Sequence, residues 1–461
     1  MNRLPPEVLT SCATFVSDTD PRPIVLLTHV CRYWRGSIIS NPSSWASIGS
    51  GWRRLAPLCL GRAGVVPLAV DIAVSDIGRG KGFLELLAPQ SSRIGRLRLA
   101  GYSSIEAVAD DFPGFFDSPM PNLTSLELQQ TAEPPRLFPS DSSPVPLPLL
   151  HISKLKSLSL TQTPLYPALF TIPSLVELKL IGYTSPFRFG TFLWFLDSNP
   201  DLERVVLCIQ FIVGSVKGTP TRNINLPRLQ HLSITCSKGI DSKGLLSRIP
   251  LPRGAHVEVI STQVDQSVQF GLFLPSPPTH IRELLTPITT IKTQITPREL
   301  RLFGNGSTFT FRSPHSLPFD TQMELVLFSG AAVRELHVST YPFKYTHAGL
   351  SRKLGQLPAL EILVFSKTAF PPGLFSVLTP EPVLCPALKT IVFFDCDIDS
   401  KVIRESGKVV AKRKDSTAVR LHRVVIVNNT GTQPDHTSIR RLRKSVPSVE
   451  VRMDGKLPDL A

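Results

Sequence analysis

The chain has 461 residues, of which 42% are hydrophobic, and its mean hydropathy is +0.09. This composition is too apolar for a disordered protein, and the length allows a sizeable core. Lysine and arginine number 50 against 36 acidic residues, so the net charge is +14 and attraction to acidic partners is expected. Because no apolar run approaches the roughly 18 residues of a membrane span, no membrane partner is expected.

Two features indicate the compartment. Pro5, Pro6 and Glu7 stand where a signal peptide needs an unbroken apolar core. The seven cysteines form an odd set with no C-x-x-C pair, which is typical of thiols in a reducing compartment and not of a disulfide framework or zinc site. The sequence therefore predicts a cytoplasmic or nuclear protein with no metal or other cofactor.

The first 48 residues predict two short helices separated by a polar loop. Leu4 to Leu9 begin the first helix, and Asn41 and Pro42 end the second ahead of Trp45. A module this small cannot bury all of its apolar surface alone, so part of it is expected to bind a partner. The residues that recur at helical spacing in the second helix are Leu26, Leu27, Val30, Cys31 and Trp34.

From about residue 94 a short L-x-x-L-x-L element returns, usually with a proline two places before its first leucine. Within the runs from Leu123 to Leu229 and from Leu360 to Leu388, the intervals range from 20 residues, between Leu155 and Leu175, to 32 residues, between Leu123 and Leu155. They straddle the period of about 20–29 residues of leucine-rich repeats, in which each L-x-L is a short strand with inward-facing apolar side chains. The alternative is a leucine-rich α/β domain without repeats. The first leucines are Leu123, Leu155, Leu175, Leu202, Leu229, Leu360 and Leu388.

Segments between the strands have helical character, such as Phe192 to Leu196, and Val402 to Lys412 before a strand at Val424 to Val427. The repeat pattern weakens between about residues 240 and 330. There Glu299 to Phe303 and Thr308 to Phe311 alternate on either side of a Gly-Asn-Gly turn. This arrangement predicts a β-hairpin that is inserted in a repeat or replaces one.

No motif for catalysis is present, since both H-E-x-x-H and G-x-S-x-G are missing from the sequence. Gly239 to Gly244 has the glycine spacing of a phosphate-binding loop, but Leu245 replaces its lysine. His231, Cys208 and Cys236 are candidates for a metal or Cys/His group, although thiols just after strands are more typical of side chains that fill turns. We therefore expect that the protein is not an enzyme.

Two basic clusters, Lys408 to Lys414 and Arg440 to Lys444, are candidates for nuclear-localisation or nucleic-acid patches. No aromatic residues interleave with them to stack on bases. A solvated helix face is therefore the favoured interpretation, and nucleic acid is not the expected partner.

Three strings in the first 48 residues resemble the F-box. They are Leu4-Pro5-Pro6-Glu7-Val8-Leu9, which matches L-P-x-E-[IV]-L, Val30-Cys31-Arg32-Tyr33-Trp34, which matches V-C-[RK]-x-W, and Pro42-Ser43-Ser44-Trp45, which matches P-x-x-W. Further on, four strings look like parts of the F-box and repeat proteins of mushroom-forming fungi, namely Leu60 to Gly64, Pro67 to Val70, Leu86 to Pro89 and Arg96 to Leu99.

This resemblance implies an α/β fold in which a small all-helical F-box precedes an irregular leucine-rich-repeat solenoid of short parallel strands alternating with helices. The implied organisation is an F-box at 1–48, a connecting segment at 49–92 and a leucine-rich-repeat-like receptor domain at 93–461. It also implies a substrate-recognition subunit of a Skp-cullin-F-box ubiquitin ligase. The F-box would bind a Skp-type adaptor, and through it a cullin, while the repeats would hold an unknown protein substrate.

The residues chosen for adaptor binding combine the three F-box strings with the apolar face of the second helix. Some of them are expected to belong to the internal core. Trp34 and Trp45 should be the costliest to truncate if they lie at the interface. The full set is Leu4, Pro5, Val8, Leu9, Leu26, Leu27, Val30, Cys31, Trp34, Pro42 and Trp45.

Two features depart from the family pattern. Ser11-Cys12-Ala13 is less apolar than usual for the first helix, which lowers the expected affinity for the adaptor. The asparagine that commonly follows L-x-x-L-x-L is absent, which predicts divergent coils with fewer hydrogen bonds. An alternative function is therefore a protein-interaction scaffold outside ubiquitination, with a vestigial F-box. The residues in the asparagine position are Thr131, Thr163, Tyr183, Gln210, Ser237, Thr368 and Cys396.

Overall fold

The computed structural model shows an α/β protein with a mostly parallel β-sheet and few helices in the part of the chain that it describes. The chain divides into two compact units, Met1–Arg228 and Leu229–Ala461. The predicted boundaries at residues 48 and 92 both fall inside the first unit and stay predictions. The described residues are 4–17, 22–73, 81–102, 115, 118–131, 153–163, 172, 174–212, 223–236, 239–262, 288–293, 299–304, 307–312, 333–339, 354–355, 357–366, 384–396, 403, 421–427 and 436–452.

The N-terminal unit begins with helices α1 (Pro6–Ser17), α2 (Arg22–Leu27) and α3 (Arg32–Ile39), followed by a 3-10 turn at Pro42–Trp45. The sequence predicted only two helices, and this prediction is wrong because the second one breaks after Leu27. Cys31 caps α3, since its Sγ accepts a hydrogen bond from the Trp34 backbone N–H at 3.5 Å. Arg35 Nε donates to the Thr28 carbonyl oxygen at 2.9 Å, which holds the turn between the helices.

The rest of this unit consists of short strands with helices between some of them. The described strands pair in chain order, and all of these pairings are parallel. Helix α6 contains the predicted helical segment Phe192 to Leu196, which is thereby confirmed. The elements are β1 (Ser47–Gly49), α4 (Ala56–Ala63), β2 (Leu68–Ala73), α5 (Lys81–Leu87), β3 (Ile94–Tyr102), β4 (Ser125–Gln130), β5 (Ser157–Thr161), β6 (Glu177–Arg188), α6 (Phe189–Asp197) and β7 (Arg204–Ile212).

The leucines of the L-x-L strands form rows across the sheet. Leu128 lies opposite Leu160, which lies opposite Leu180, and the same register repeats two residues earlier in each strand. These side chains and the first leucines of the pattern are at most 1% exposed. The predicted inward orientation of the leucines is therefore confirmed, because parallel pairing in register places equivalent side chains on one face.

Two of the residues that replace the family's asparagine are buried and hydrogen-bonded to a neighbouring strand. The Thr163 hydroxyl lies 3.3 Å from the Leu128 carbonyl oxygen and 2.7 Å from the Tyr102 hydroxyl. Cys396 Sγ lies 3.3 Å from the Phe365 carbonyl oxygen. At these two positions the side chain therefore links neighbouring strands through a hydrogen bond.

The C-terminal unit continues the pattern with one interruption. The strand at Val424 to Val427 is confirmed within β16, whereas the predicted helix at Val402 to Lys412 lies outside the described residues except for Ile403. The elements are β8 (His231–Cys236), α7 (Gly239–Leu246), β9 (His256–Ser261), β10 (Ile288–Thr293), β11 (Glu299–Gly304), β12 (Ser307–Arg312), β13 (Glu335–Ser339), β14 (Ile362–Ser366), β15 (Thr390–Phe394), β16 (Arg423–Val427), α8 (His436–Ser445) and β17 (Ser448–Arg452).

The interruption is the predicted β-hairpin, which is confirmed. β11 and β12 pair antiparallel, with Leu302 opposite Phe309 and Gly304 opposite Ser307. β12 also pairs parallel with β9, and β10 pairs antiparallel with β11 and parallel with β13. The strand order is therefore β9-β12-β11-β10-β13, and only β11 among these described strands runs against the others.

Strands β14 to β16 are buried on both faces. The inward row contains Leu363 and Ile391, which are each 1% exposed. The opposite face carries Val364, Val392 and Val425, which are each 0% exposed. Strands covered on both sides read as continuous apolar runs, which explains the sequences Ile-Val-Phe-Phe and Val-Val-Ile-Val. In the N-terminal unit, by contrast, the corresponding positions of β3 and β4 are polar and partly exposed.

In the C-terminal unit, ion pairs between side chains accompany the backbone hydrogen bonds of Glu361. Glu361 donates its backbone N–H to the Arg334 carbonyl oxygen and accepts a backbone bond from Lys389, both at 2.8 Å. Its carboxylate lies 2.8 Å from Lys389 Nζ and 3.9 Å from Arg334 Nε. The hydrogen bond from Lys389 lowers the pKa of Glu361, although partial burial opposes it.

We predict that Leu180→Ala lowers the free energy of unfolding by about 2–5 kcal/mol, because it leaves a cavity in a fully buried row. The matched control is Lys179→Ala, at the neighbouring exposed position of β6, which should change it by less than about 0.5 kcal/mol. Urea denaturation measures both values. Equal effects of the two substitutions would contradict the inward orientation of the leucine row.

We predict that the stabilising effect of Glu361 depends on pH. Because its pKa is lower in the folded protein than in the unfolded chain, its contribution is present above the unfolded pKa and is lost as pH falls through the folded pKa. Glu361→Gln should therefore lower the urea midpoint slightly at pH 7 and leave it unchanged in acid. The effect is small because the pair is largely solvated. A difference that grows on acidification would rule out this ion pair as the cause.

Candidate functional site

The three N-terminal helices pack around a small core of their own. Leu9, Ala13, Ile24 and Ile38 are at most 1% exposed, and α1 contacts both α2 and α3. The hydroxyl of Tyr33 donates to the Leu4 carbonyl oxygen at 2.8 Å, which fixes the residues ahead of α1 against α3. The helices therefore present a defined outer surface.

Trp45 joins these helices to the following part of the unit. Its side chain is 2% exposed, and its Nε1–H donates to the Ile38 carbonyl oxygen at 2.9 Å. The guanidinium carbon of Arg62, on α4, lies 4.3 Å from the centroid of the indole, within the range of a cation–π interaction. Trp45 therefore links the end of α3, the 3-10 turn and α4.

The outer surface of the helices carries exposed apolar side chains. Eight large hydrophobic side chains are exposed among the described residues, and five of them belong to the first 48 residues. Leu26 is 67% exposed and Val30 is 58% exposed, although both lie beside a folded core. Singly exposed apolar residues are ordinary, but a concentration in one small module indicates a binding surface. The five are Leu4, Val8, Leu26, Val30 and Ile39.

The eleven residues predicted to bind an adaptor fall into three groups in the structure. Leu9 and Trp45 are buried, and Leu27 and Trp34 are half-buried. Leu9 and Trp45 would therefore affect a binding surface only indirectly, by stabilising the core beneath it. The assignment of the whole set to adaptor binding stays a prediction. The exposed members are Leu4, Pro5, Val8, Leu26, Val30, Cys31 and Pro42.

Sequence reasoning missed four exposed apolar residues, which are Ile39 at 38%, Leu58 at 42%, Val65 at 93% and Trp194 at 53%. A signal was present for Ile39. Two consecutive isoleucines at the end of a helix cannot both face the same core, and here Ile38 takes the buried position. The role of Arg62 over Trp45 had no local signal, because the two residues lie on different elements.

The strand surface of the N-terminal unit is polar and ion-paired. Arg98 on β3 lies 2.9 Å from Asp71 of β2 and 3.3 Å from Glu127 of β4, and it donates to Gln129 at 3.1 Å. Partial burial works to lower the pKa of Arg98, but the charges and hydrogen bonds of the two carboxylates outweigh it and raise that pKa. This part of the surface suits polar recognition rather than proton transfer.

The groups considered for catalysis or metal binding are placed as follows. Gly239 to Gly244 form the first part of α7. The rings of His231 and His256 stack with their centroids 5.2 Å apart, and Cys236 is buried. Across the described ranges, no three histidine, cysteine or acidic side chains are grouped as metal ligands.

Cys59 on α4 is a packed thiol. Burial raises the pKa of Cys59, and the nearby charge of Arg62 opposes this effect more weakly. A thiol in this state is a poor nucleophile at neutral pH. Within the described residues, no helix combines the length and the apolar character needed to cross a bilayer.

Comparison with known proteins gives no match to any protein-family model and no significant match among curated proteins. The geometry of the site and the sequence motifs are therefore the basis for a functional proposal.

We predict that Trp45→Ala destabilises the protein by about 3–5 kcal/mol, because a large buried side chain and its contacts are removed. Trp45→Phe should cost less, since the ring still packs but the hydrogen bond to Ile38 is lost. Leu26→Ala is the matched control, because Leu26 is exposed and its truncation should change stability by less than about 0.5 kcal/mol. Thermal unfolding compares the three. A Trp45→Ala protein as stable as the control would show that Trp45 is not part of the core.

Proposed function

We propose that this protein is the substrate-recognition subunit of a Skp-cullin-F-box type ubiquitin ligase. Its N-terminal helices form an F-box that docks on a Skp-type adaptor, and its strand repeats bind a protein substrate. In this role the chain is an adaptor and not an enzyme. The observation that carries the proposal is the coincidence of the three F-box strings with the exposed apolar side chains.

The docking half of the proposal is supported by what the F-box strings do in the structure. Buried residues of the strings hold the module together, as Leu9 and Trp45 do. Other residues of the strings leave apolar surface uncovered, as Leu4, Val8 and Val30 do. A partner that covers these side chains would gain the free energy of burying them, which is how helices bind in apolar grooves.

The receptor half of the proposal is supported by the leucine rows. We propose that the repeats form an irregular leucine-rich-repeat solenoid, in which each repeat contributes one strand and packs on its neighbours. The solvent-facing positions of the strands are then free to vary without loss of the core. Polar side chains such as Arg98 and Lys179 at these positions suit recognition of a protein surface.

A second function, a protein-interaction scaffold with a vestigial F-box, is favoured by one observation on α1. Thr10 and Ser11 both turn their hydroxyls back to the Glu7 carbonyl oxygen, at 3.0 and 2.8 Å. Such local bonds weaken helices slightly. Ser11 and Cys12 are exposed, so this side of α1 offers little apolar surface to an adaptor.

We predict that the purified chain binds a Skp-type adaptor and that Val8→Ala combined with Leu26→Ala and Val30→Ala weakens binding by roughly tenfold or more, because each truncation removes apolar area from the interface. Isothermal titration calorimetry measures the affinity. Since the three residues are exposed, the variant should remain folded. Leu4→Ala with Pro5→Ala should weaken binding too.

The matched control is Val65→Ala, because Val65 is the most exposed large apolar residue of this part of the chain and lies outside the F-box strings. It should leave the affinity unchanged within about twofold. A wild-type chain that does not bind the adaptor would favour the scaffold function. Binding that persists in the triple variant would show that the exposed apolar residues are not the docking surface.

A further inference from the structure

Helix α8 of the C-terminal unit is anchored by one apolar side and exposes the other. Ile439 is 7% exposed and Leu442 is 2% exposed, and Val446, just past the helix, is 2% exposed. The ten-residue helix contacts β17. Its orientation is therefore fixed, and the residues between the anchors face solvent.

The solvent side of α8 is a cluster of four cations. Arg440, Arg441, Arg443 and Lys444 are all exposed, and none of them forms an ion pair with a carboxylate in the described part of the chain. The neighbouring arginines behave differently. Arg423 lies 2.8 Å and Arg452 lies 3.0 Å from oxygens of Glu450.

The cluster destabilises its own helix. Like charges three or four residues apart on a helix repel, and the pairs Arg440–Arg443, Arg440–Lys444 and Arg441–Lys444 have these spacings. The helix dipole offsets this repulsion in the last turn, where Arg443 and Lys444 lie. It offsets the repulsion less at Arg440 and Arg441, because these residues lie one turn earlier. An external anion would relieve the remaining repulsion.

We propose that the exposed face of α8 is a docking surface for an acidic, Asp- and Glu-rich segment of a protein partner. Three of the four cations are arginines, whose planar guanidinium groups bind carboxylates through two parallel hydrogen bonds. Residues 436–452 contain no Phe, Tyr or Trp, so a single-stranded nucleic acid would find no ring for its bases to stack on. The inference does not depend on the proposed adaptor docking, since the residues of α8 belong to the other unit.

The test measures the binding of a fluorescent deca-glutamate peptide to the 461-residue chain by fluorescence anisotropy. Arg440→Gln, Arg441→Gln, Arg443→Gln and Lys444→Gln together should weaken binding by roughly tenfold or more, because four surface ion pairs are lost at once. Binding to the unchanged chain should also weaken as salt is raised. Circular dichroism should show the variant folded, since the substitutions remove repulsion and leave the buried anchors in place.

The matched control removes three arginines and one lysine from scattered exposed positions, through Arg54→Gln, Arg96→Gln, Arg253→Gln and Lys156→Gln. It loses the same total charge and should bind the peptide within about twofold of the unchanged chain. Equal losses in both variants would overturn the proposal in favour of net charge alone. So would an unaffected α8 variant, or a chain that binds a duplex DNA probe through α8 but not the peptide.

Discussion

A strand of five or six residues is stable only when its backbone is paired and at least one of its faces is covered. In this protein the register of the parallel strands meets both requirements. The rows that contain Leu128, Leu160 and Leu180 are buried because the strands that carry them pair in parallel without a shift at these positions. Since the leucine rows alone form this core, the outward positions of β3 and β4 remain available for polar residues.

The N-terminal helices obey a different constraint. Their core is small and is completed by Trp45, which is held between the Ile38 carbonyl and the Arg62 guanidinium. Apolar side chains remain exposed on their outer surface, as at Leu26 and Val30. The strands therefore bury their own leucine rows, whereas the helices leave part of their apolar surface exposed. This contrast is the physical basis of the proposed division into docking and receptor parts.

Sequence reasoning found those features whose signal is local and periodic. The leucine pattern located β4 to β8 and β14 to β15, and alternation around a Gly-Asn-Gly turn located the hairpin β11–β12. The break between α2 and α3 was missed because neither the Cys31 cap that begins α3 nor the bond from Arg35 to Thr28 changes the apolar spacing. The placement of β10 between β11 and β13 was missed for a different reason, since strand order depends on contacts distant in sequence.

The sequence predicted residues of the candidate site, but not which of them are buried and which are exposed. The F-box strings identified Trp45 and the helical spacing identified Leu26, yet the structure buries the first and exposes the second. One contact of the buried Trp45 ring comes from Arg62, which lies 17 positions further along the chain. No pattern within the strings contains that contact.

The most direct measurement is hydrogen–deuterium exchange of the 461-residue chain alone and with an excess of a Skp-type adaptor. Short helices open easily, so their amides exchange quickly until a partner holds them closed. We expect the adaptor to slow exchange in residues 4–45 and to leave exchange in strands β3 to β7 unchanged. Unchanged exchange in the helices, or protection confined to the strands, would contradict the docking role of the N-terminal helices.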